Sequence, residues 1–336
     1  MLKKLMILIM CLGLFLFAAG CGQQSKSAPE EQKGQKDIPV VGILQLVSHP
    51  ALNLDYQGFV DQMKEEGFID GKTVKFDFQN AQGDLNMTKT IADKFVADKV
   101  DAILAITTPS SQAAAQATKG TGIPVVFIAV SDPVKAGLIK AVGEPTGTNI
   151  TGVASNDPIV QQMDLIKEMV PNIKRLGVMY NPSEDNSVRN VNLIKEYVAG
   201  KGWKVIEGTV SSSSEVQMAA QSLVGRVDAV FMPQDNTVMS AVQSVIKVCR
   251  DNKIPFFTGD TESVKAGAVA TIGNDEYDCG RQGAELMARV LRGEKVGSIP
   301  PEEIRKRTLL INKKAADAIG LEIPQSLLNR ADDVIK

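Results

Sequence analysis

Six short loops hold most of the side chains in this chain that could bind a ligand or react with one. The first half has Val47-Ser48-His49-Pro50, Thr107-Thr108-Pro109-Ser110-Ser111 and Ser131-Asp132-Pro133. The second half has Asn181-Pro182-Ser183-Glu184-Asp185-Asn186, Pro233-Gln234-Asp235-Asn236-Thr237 and Gly259-Asp260-Thr261. Their hydroxyls, amides and carboxylates both donate and accept hydrogen bonds. Taken singly, each loop is explained by helix capping, for which Ser, Thr, Asp and Asn are preferred. Six such loops around one cleft form a polar ligand site. Its candidate residues are Ser48, His49, Thr107, Thr108, Ser110, Ser111, Ser131, Asp132, Asn181, Gln234, Asp235, Asn236 and Asp260.

Catalytic patterns are weak by comparison. Gly67, Gly71, Lys72 and Thr73 come near a phosphate loop, but the spacing is one residue short and the segment leads into a strand. No Gly-x-Ser-x-Gly elbow occurs. A single histidine, His49, leaves few general bases and, without a Cys/His cluster, no basis for a structural zinc. The expectation is a binding protein that is not an enzyme and has neither cofactor nor metal.

The loops need elements to position them. Val40–Val47, Thr73–Phe78, Val100–Ile106 and Ile123–Val130 read as strands, mostly rich in β-branched and aromatic residues. Tyr56, Phe59 and Met63, then Met87, Ile91 and Phe95, fall at helical spacing between them. The second half repeats the plan with strand-like Arg175–Tyr180, Lys204–Gly208, Val227–Met232 and Ile254–Thr258, and with helical Val188, Val191, Ile194 and Val198. Even words recur. Val100-Asp101-Ala102-Ile103 matches Val227-Asp228-Ala229-Val230, and Ile123-Pro124-Val125-Val126 matches Ile254-Pro255-Phe256-Phe257. The offset drifts only from 127 to 131 residues, as a duplicated architecture predicts. Strand–helix–strand order implies parallel sheets with right-handed crossovers. Ligands of such sheets bind beyond the carboxyl ends of the strands, where the six loops lie.

The chain of 336 residues starts with a different kind of segment. Lys3 and Lys4 precede fifteen apolar or small residues, Leu5 to Ala19, followed by Gly20 and Cys21. A basic start, a short apolar run and small residues before a cut describe a secretory signal. The run is shorter than the roughly 20 residues of a transmembrane helix. Ala18-Ala19-Gly20-Cys21 resembles a bacterial lipobox, with Ala18 where leucine is usual, and marks Cys21 for lipidation. Residues 1–20 hold two of the 37 Lys and Arg and none of the 39 Asp and Glu, so the mature balance is 35 against 39, or −4. That is an ordinary surface with no footprint for nucleic acid. Gly22 to Asp37 contains no large apolar side chain and reads as a flexible spacer. Cys249 and Cys279 lie in helix-like apolar patterns and read as buried free thiols, with a disulfide open as the alternative in an oxidising compartment.

At the polar loops the chain resembles a known family. Gly42-Ile43-Leu44-Gln45 leading to His49-Pro50-Ala51-Leu52, then Ile106-Thr107-Thr108-Pro109-Ser110-Ser111-Gln112-Ala113, Ala129-Val130-Ser131-Asp132-Pro133-Val134 and Met232-Pro233-Gln234-Asp235-Asn236 are similar to the substrate-binding lipoproteins of ABC importers in the tryptophan/tyrosine group. The likeness runs from about Ile38 to the C-terminus. It implies the type I periplasmic-binding-protein fold, an α/β architecture of two Rossmann-like lobes with parallel sheets joined by a three-crossover hinge. The crossings would fall near Ala154–Pro158, Gly273–Tyr277 and Pro300–Arg307, the second before a helix with Leu286, Met287, Val290 and Leu291. The expected division is a signal peptide at 1–20, a linker at 21–37 after lipidated Cys21, an N-terminal lobe of 38–155 plus 276–304, and a C-terminal lobe of 156–275 plus 305–336.

The resemblance also implies an extracytoplasmic protein, anchored to the cell membrane by Cys21, that delivers an aromatic amino acid to an ABC permease and ATPase. A lipid-anchored sensor or adhesin on the same fold, and a nucleoside or other small solute as ligand, stay open as alternatives. A free amino acid offers a carboxylate and an ammonium. Helix N-termini and hydroxyls suit the carboxylate, and the Thr107, Thr108, Ser110, Ser111 loop precedes a helix. Asp235 is the first candidate for the ammonium, then Asp132 and Asp260. Tyr180, His49, Pro50, Leu52 and Pro109 are candidates for an apolar slot, although Tyr180, at a strand end, fits the core equally and His49 fits a turn or helix cap; Trp203 reads as packing.

Overall fold

The computed structural model describes residues 38–336. The signal segment, Cys21 and the spacer lie outside the described residues. The first lobe begins with β1 (Val40–Gln45), α1 (Pro50–Glu65), β2 (Lys75–Asn80), α2 (Leu85–Ala97), β3 (Ala102–Ile106), α3 (Thr108–Ala117), β4 (Val125–Val130) and β5 (Ile150–Ala154). The chain then crosses to a second lobe. This holds α4 (Ile159–Met169), β6 (Arg175–Tyr180), α5 (Asp185–Val198), β7 (Lys204–Thr209), α6 (Val216–Leu223), β8 (Ala229–Met232), α7 (Asn236–Met239), α8 (Val242–Asp251), β9 (Phe256–Thr258), α9 (Thr261–Ala266) and β10 (Ala270–Asn274). It returns to the first lobe with α10 (Glu276–Leu291) and β11 (Glu302–Glu303), then ends in the second with β12 (Arg307–Asn312), α11 (Lys313–Ile319), α12 (Gln325–Arg330) and β13 (Asp333–Ile335).

The first sheet has the order β11-β5-β4-β3-β1-β2 and is parallel throughout. The second has the order β13-β12-β10-β9-β8-β6-β7. Strands β1 and β3 are buried almost end to end, the apolar run required of a strand covered on both faces. One pair departs from the expected parallel arrangement: β12 runs antiparallel to β10, with Arg307 opposite Asn274. The reason is the path of the chain. β10 runs toward the other lobe, and β12 re-enters at that same end after the excursion through α10 and β11.

The duplicated words have a shared physical task. Asp101 accepts the Val40 backbone N–H at 2.7 Å. Asp228 accepts the backbone N–H groups of Lys174 at 2.9 Å and Arg175 at 2.8 Å. In each lobe an aspartate ahead of the third strand thus satisfies backbone donors where the first strand begins.

Three chain segments join the lobes, and Arg307 binds them together. Its guanidinium donates to the carbonyls of Ser155 at 3.2 Å and Asn156 at 2.9 Å in the first crossing, and to Asn274 Oδ1 at 3.2 Å before the second. Asn156 has φ 45°, a left-handed conformation that costs energy in a non-glycine residue and that tertiary contacts must hold.

Candidate functional site

The sheets point their carboxyl ends at one cleft between the lobes. Its inner cavity is lined from the first lobe by His49, Ala51, Leu52 and Asp55 of the α1 segment and by Ala129 and Ser131 at the end of β4. Ser155 and Asp157 line it from the first crossing, Asn186, Gln234 and Asn236 from the second lobe, and Glu276 from the start of α10. β4 slips register between Phe127 and Val130, and Ala129 takes φ 54° there. Such a bulge re-aims the residues that follow it, and Ser131 enters the cleft. The cavity offers only ≈ 20 Å³, about one water's worth of room by the ~10–15 Å³ that a water needs. A larger ligand must part the lobes or extend into the groove of ≈ 250 Å³ that meets the cavity at Asn186.

Several bonds hold the cleft shut. Gln112 Nε2 donates to Asp185 Oδ2 at 2.8 Å, and Arg189 Nε lies 3.5 Å from Asp132 Oδ2. His49 Nε2 lies 3.5 Å from Asn236 Oδ1, and Gln234 Nε2 donates to Glu276 Oε1 at 2.9 Å. His49 also caps α1, its Nδ1 accepting the Leu52 N–H at 3.4 Å. Burial lowers the His49 pKa to about 4, so the ring is neutral at pH 7.

Carboxylates dominate the base of the cavity. Asp157 Oδ2 accepts Ser131 Oγ at 2.6 Å and Asn190 Nδ2 at 2.7 Å. Asp55 is fully buried and neither of its oxygens has a hydrogen-bond partner. Polar atoms of Asp55, Glu276 and Cys279 all lie within 4.8 Å of one another. Burial pushes the Asp55 carboxyl well above its ordinary value, and the Asp275 charge adds to the rise. Burial does the same to Glu276, reinforced by the charge of Asp55.

The sequence candidates fall into three groups. His49, Ser131, Gln234 and Asn236 line the inner cavity. Thr108 and Asp132 line a groove on one side of it, and Ser48 and Asp260 a groove on the other. Thr107, Ser110, Ser111, Asn181 and Asp235 pack behind the surface. Asp235 is fully buried as the cap of α7, its Oδ1 accepting Val238 N–H at 2.8 Å and its Oδ2 accepting Asn181 N–H and Ser187 Oγ, each at 2.6 Å. Burial, with the neighbouring charge of Glu184, raises its pKa to about 7. With both oxygens engaged inside the lobe, Asp235 does not present itself to an ammonium, contrary to the sequence expectation. Ser111 likewise turns inward, donating to the Thr107 carbonyl at 2.6 Å. Thr108 Oγ1 is buried without a partner, in a residue that lines the groove. Asp132 caps its own turn, accepting the N–H groups of Val134 and Lys135. Asp260 caps α9.

Of the two places open to Tyr180, the structure has the core of the second lobe, with its hydroxyl on Glu207. Trp203 packs in the same core. Cys249 and Cys279 are both buried and unbonded.

Asp55, Asp157, Ser155, Asn186 and Glu276 were not singled out from the sequence. Two of them carried a signal. Asp55 lies on the buried stripe of α1 with Leu52, Phe59 and Met63, and Glu276 on the buried face of α10 with Cys279, Gly280 and Gly283. An acid on an apolar helix face is costly unless something compensates it, which makes it a functional candidate.

Two α/β lobes, three crossings and a polar interlobe cleft define a solute-binding protein of the type I periplasmic fold. The chain belongs to the ABC transporter substrate binding protein family, which it matches over residues 40–335. It is thus an extracytoplasmic binding protein, not an enzyme. It is 39% identical over 328 residues to a tyrosine-binding protein of Clostridioides difficile, covering 95% of this chain and 93% of that one. A conserved domain protein from Vibrio cholerae superposes with a TM-score of 0.85 at 40% identity, over 88% of this chain and 99% of that one. An ABC domain from Streptococcus pneumonia in complex with L-Trp gives 0.83 at 36% identity, over 89% and 100%. The ligand-free, open structure of a Clostridium difficile substrate binding protein with adhesive properties gives only 0.65 at 40% identity, over 89% and 99%. In this chain the cross-lobe bonds of Gln112, Arg189 and Gln234 hold the cleft closed.

Proposed function

We propose that this protein captures an aromatic amino acid outside the cytoplasm, is tethered by lipid on Cys21, and hands the ligand to an ABC permease powered by an ATPase. The observation that carries the reading is the closed polar cleft, in a chain more than a third identical to one relative named for tyrosine and another holding L-Trp. The working cycle follows from the geometry. The lobes part about the Arg307 junction, a ligand enters, and the Gln112–Asp185 and Arg189–Asp132 contacts re-form around it. Closure is favoured only so far as the ligand binds the closed form better than the open one. Thr108, at the first turn of α3 with a free hydroxyl, is assigned to the ligand carboxylate. Its groove meets the inner cavity at Asn186, which lines both.

Uptake tests this reading. Cells lacking the protein should lose high-affinity uptake of labelled tyrosine or tryptophan and regain it on complementation. Undiminished uptake would contradict an import role and favour the adhesive property stated for the C. difficile relative.

A further inference from the structure

Asp55 stands out from the rest of the cavity because, among the described residues, no hydrogen bond of ordinary geometry reaches it and only the weak thiol donor of Cys279 lies beside it. It is 0% exposed, both its oxygens lack partners, and its neighbours Glu276 and Cys279 carry no positive charge. Two carboxyl groups this close in a desolvated site cannot both stay ionised without a cation. The cavity wall has none: it carries Asp55, Asp157 and Glu276 but no Lys or Arg, and His49 is neutral. Asp275 faces Asp55 from the cap of α10, and Asp260 adds negative potential at Glu276 from the second lobe. Arg307 is taken up by Ser155, Asn156 and Asn274.

We propose that Asp55 and Glu276 form the subsite for the ligand's ammonium group, and that the ammonium on entering displaces a proton the pair shares in the empty cleft. The inference rests on the proposed amino-acid function and deepens it. An ammonium brings three N–H donors and one charge, enough for both free Asp55 oxygens and one oxygen of Glu276. A divalent ion suits the site less well. Calcium and magnesium take six or more oxygens and zinc takes four ligands or three with an open position, whereas this cluster offers two carboxylates and one thiol whose oxygens and sulfur spread up to 4.8 Å. Placement gives the charge a mechanical role. Glu276 follows the second crossing directly, so the bound charge sits beside a segment on which the lobes turn. The proton balance is simple: a protonated carboxyl and an ammonium go to a carboxylate–ammonium pair with release of one proton. Affinity should therefore rise with pH through the range in which the pair ionises, above the ordinary carboxylate value of about 4.

The test is titration calorimetry on the full chain with L-tyrosine and L-tryptophan, in buffers of different ionisation heat, alongside tyramine and 3-(4-hydroxyphenyl)propionate. At pH values above the ordinary carboxylate range of about 4, where the pair still holds its proton, binding should release protons, and the analogue without an amine should bind over ~100-fold more weakly than tyrosine. Asp55→Asn and Glu276→Gln should each weaken amino-acid binding by over ~100-fold, as stranding one partner of a buried charge pair does. Their empty forms should melt no lower than the parent, since each substitution replaces a desolvated ionisable group by a neutral amide of the same shape. Parent-like affinity in both variants, no proton release, or full binding of the amine-free analogue would overturn the proposal. So would a rise in melting temperature with calcium, magnesium or zinc alone that both variants abolish. If neither amino acid binds but tyramine does, with the same loss in the variants, the subsite stands and the ligand class is wrong. If no amine binds, both readings fall.

Discussion

Gly280 on α10 lies directly against the backbone carbonyl of Asp55 on α1. A Cβ at Gly280 would overlap that carbonyl, and one at Gly58 would overlap the carbonyl of Tyr277. The two glycines let the helices touch backbone to backbone, and this close approach sets Asp55 beside Glu276 and Cys279. Gly280→Ala should cost about 1–3 kcal/mol of stability or more, as overpacking does, despite alanine's better helix propensity of about 1 kcal/mol. Denaturant unfolding checks the size, with exposed Gln57→Ala on α1 as the control. Ligand affinity should fall with it, because the acids no longer meet.

His49 should make stability depend on pH. Its folded pKa of about 4 lies below its ordinary 6.5, so the unfolded chain binds the proton more readily. Stability from His49 is thus present above pH 6.5 and is lost as pH falls toward 4, by about 3 kcal/mol for a shift of ~2.5 units. Asp235 and Asp260, raised to about 7 and about 6, act in the opposite sense. They weaken the fold as pH rises through those values. Comparing the parent with His49→Gln cancels the aspartates: the parent should lose stability relative to the variant between about pH 6.5 and 4. Parallel curves would refute the assignment.

The lobe-closing contacts should behave as latches. Replacing Gln112 and Arg189 together by alanine removes one hydrogen bond and one ion pair across the cleft. At about 1 kcal/mol per lost contact, ligand affinity should drop between about fivefold and about thirtyfold. Solution scattering should show a larger radius of gyration for the empty variant than for the parent, while secondary structure is unchanged.

Much of the architecture was legible in the sequence, and the particulars show why. Arg175–Tyr180 is a strand with the bounds its apolar pattern gives, because a strand covered on both faces must be apolar throughout. The Asp101 and Asp228 words recur because both lobes need the same backbone donors satisfied at the same corner. Loop placement was legible too, since carboxyl ends of parallel strands share an edge. The roles of residues within those loops were not. Asp235 and Thr108 are both polar residues beside a short helix, yet the Asp235 oxygens are taken up by Asn181, Ser187 and Val238 while Thr108 Oγ1 has no partner, and the Ser187 bond comes from α5, distant in sequence. The acidic base was harder still. Asp55 and Glu276 lie over two hundred residues apart, and only the contact at Gly58 and Gly280 brings them together.

Membrane tethering has its own test. Cys21→Ser should move the protein from the membrane fraction to the medium or periplasm and remove lipid mass from its N-terminal peptide. Unchanged fractionation would refute the anchor and leave the binding cleft unaffected.

The central claim is that the cleft closes on an aromatic amino acid, and calorimetry with purified protein tests it most directly. Tyrosine, tryptophan and phenylalanine should be compared with the other amino acids, nucleosides and sugars under one set of conditions. At least one aromatic amino acid should bind with 1:1 stoichiometry and raise stability by about 2.7 kcal/mol at 100 times its Kd. Binding of a nucleoside or sugar with no response to any amino acid would contradict the account.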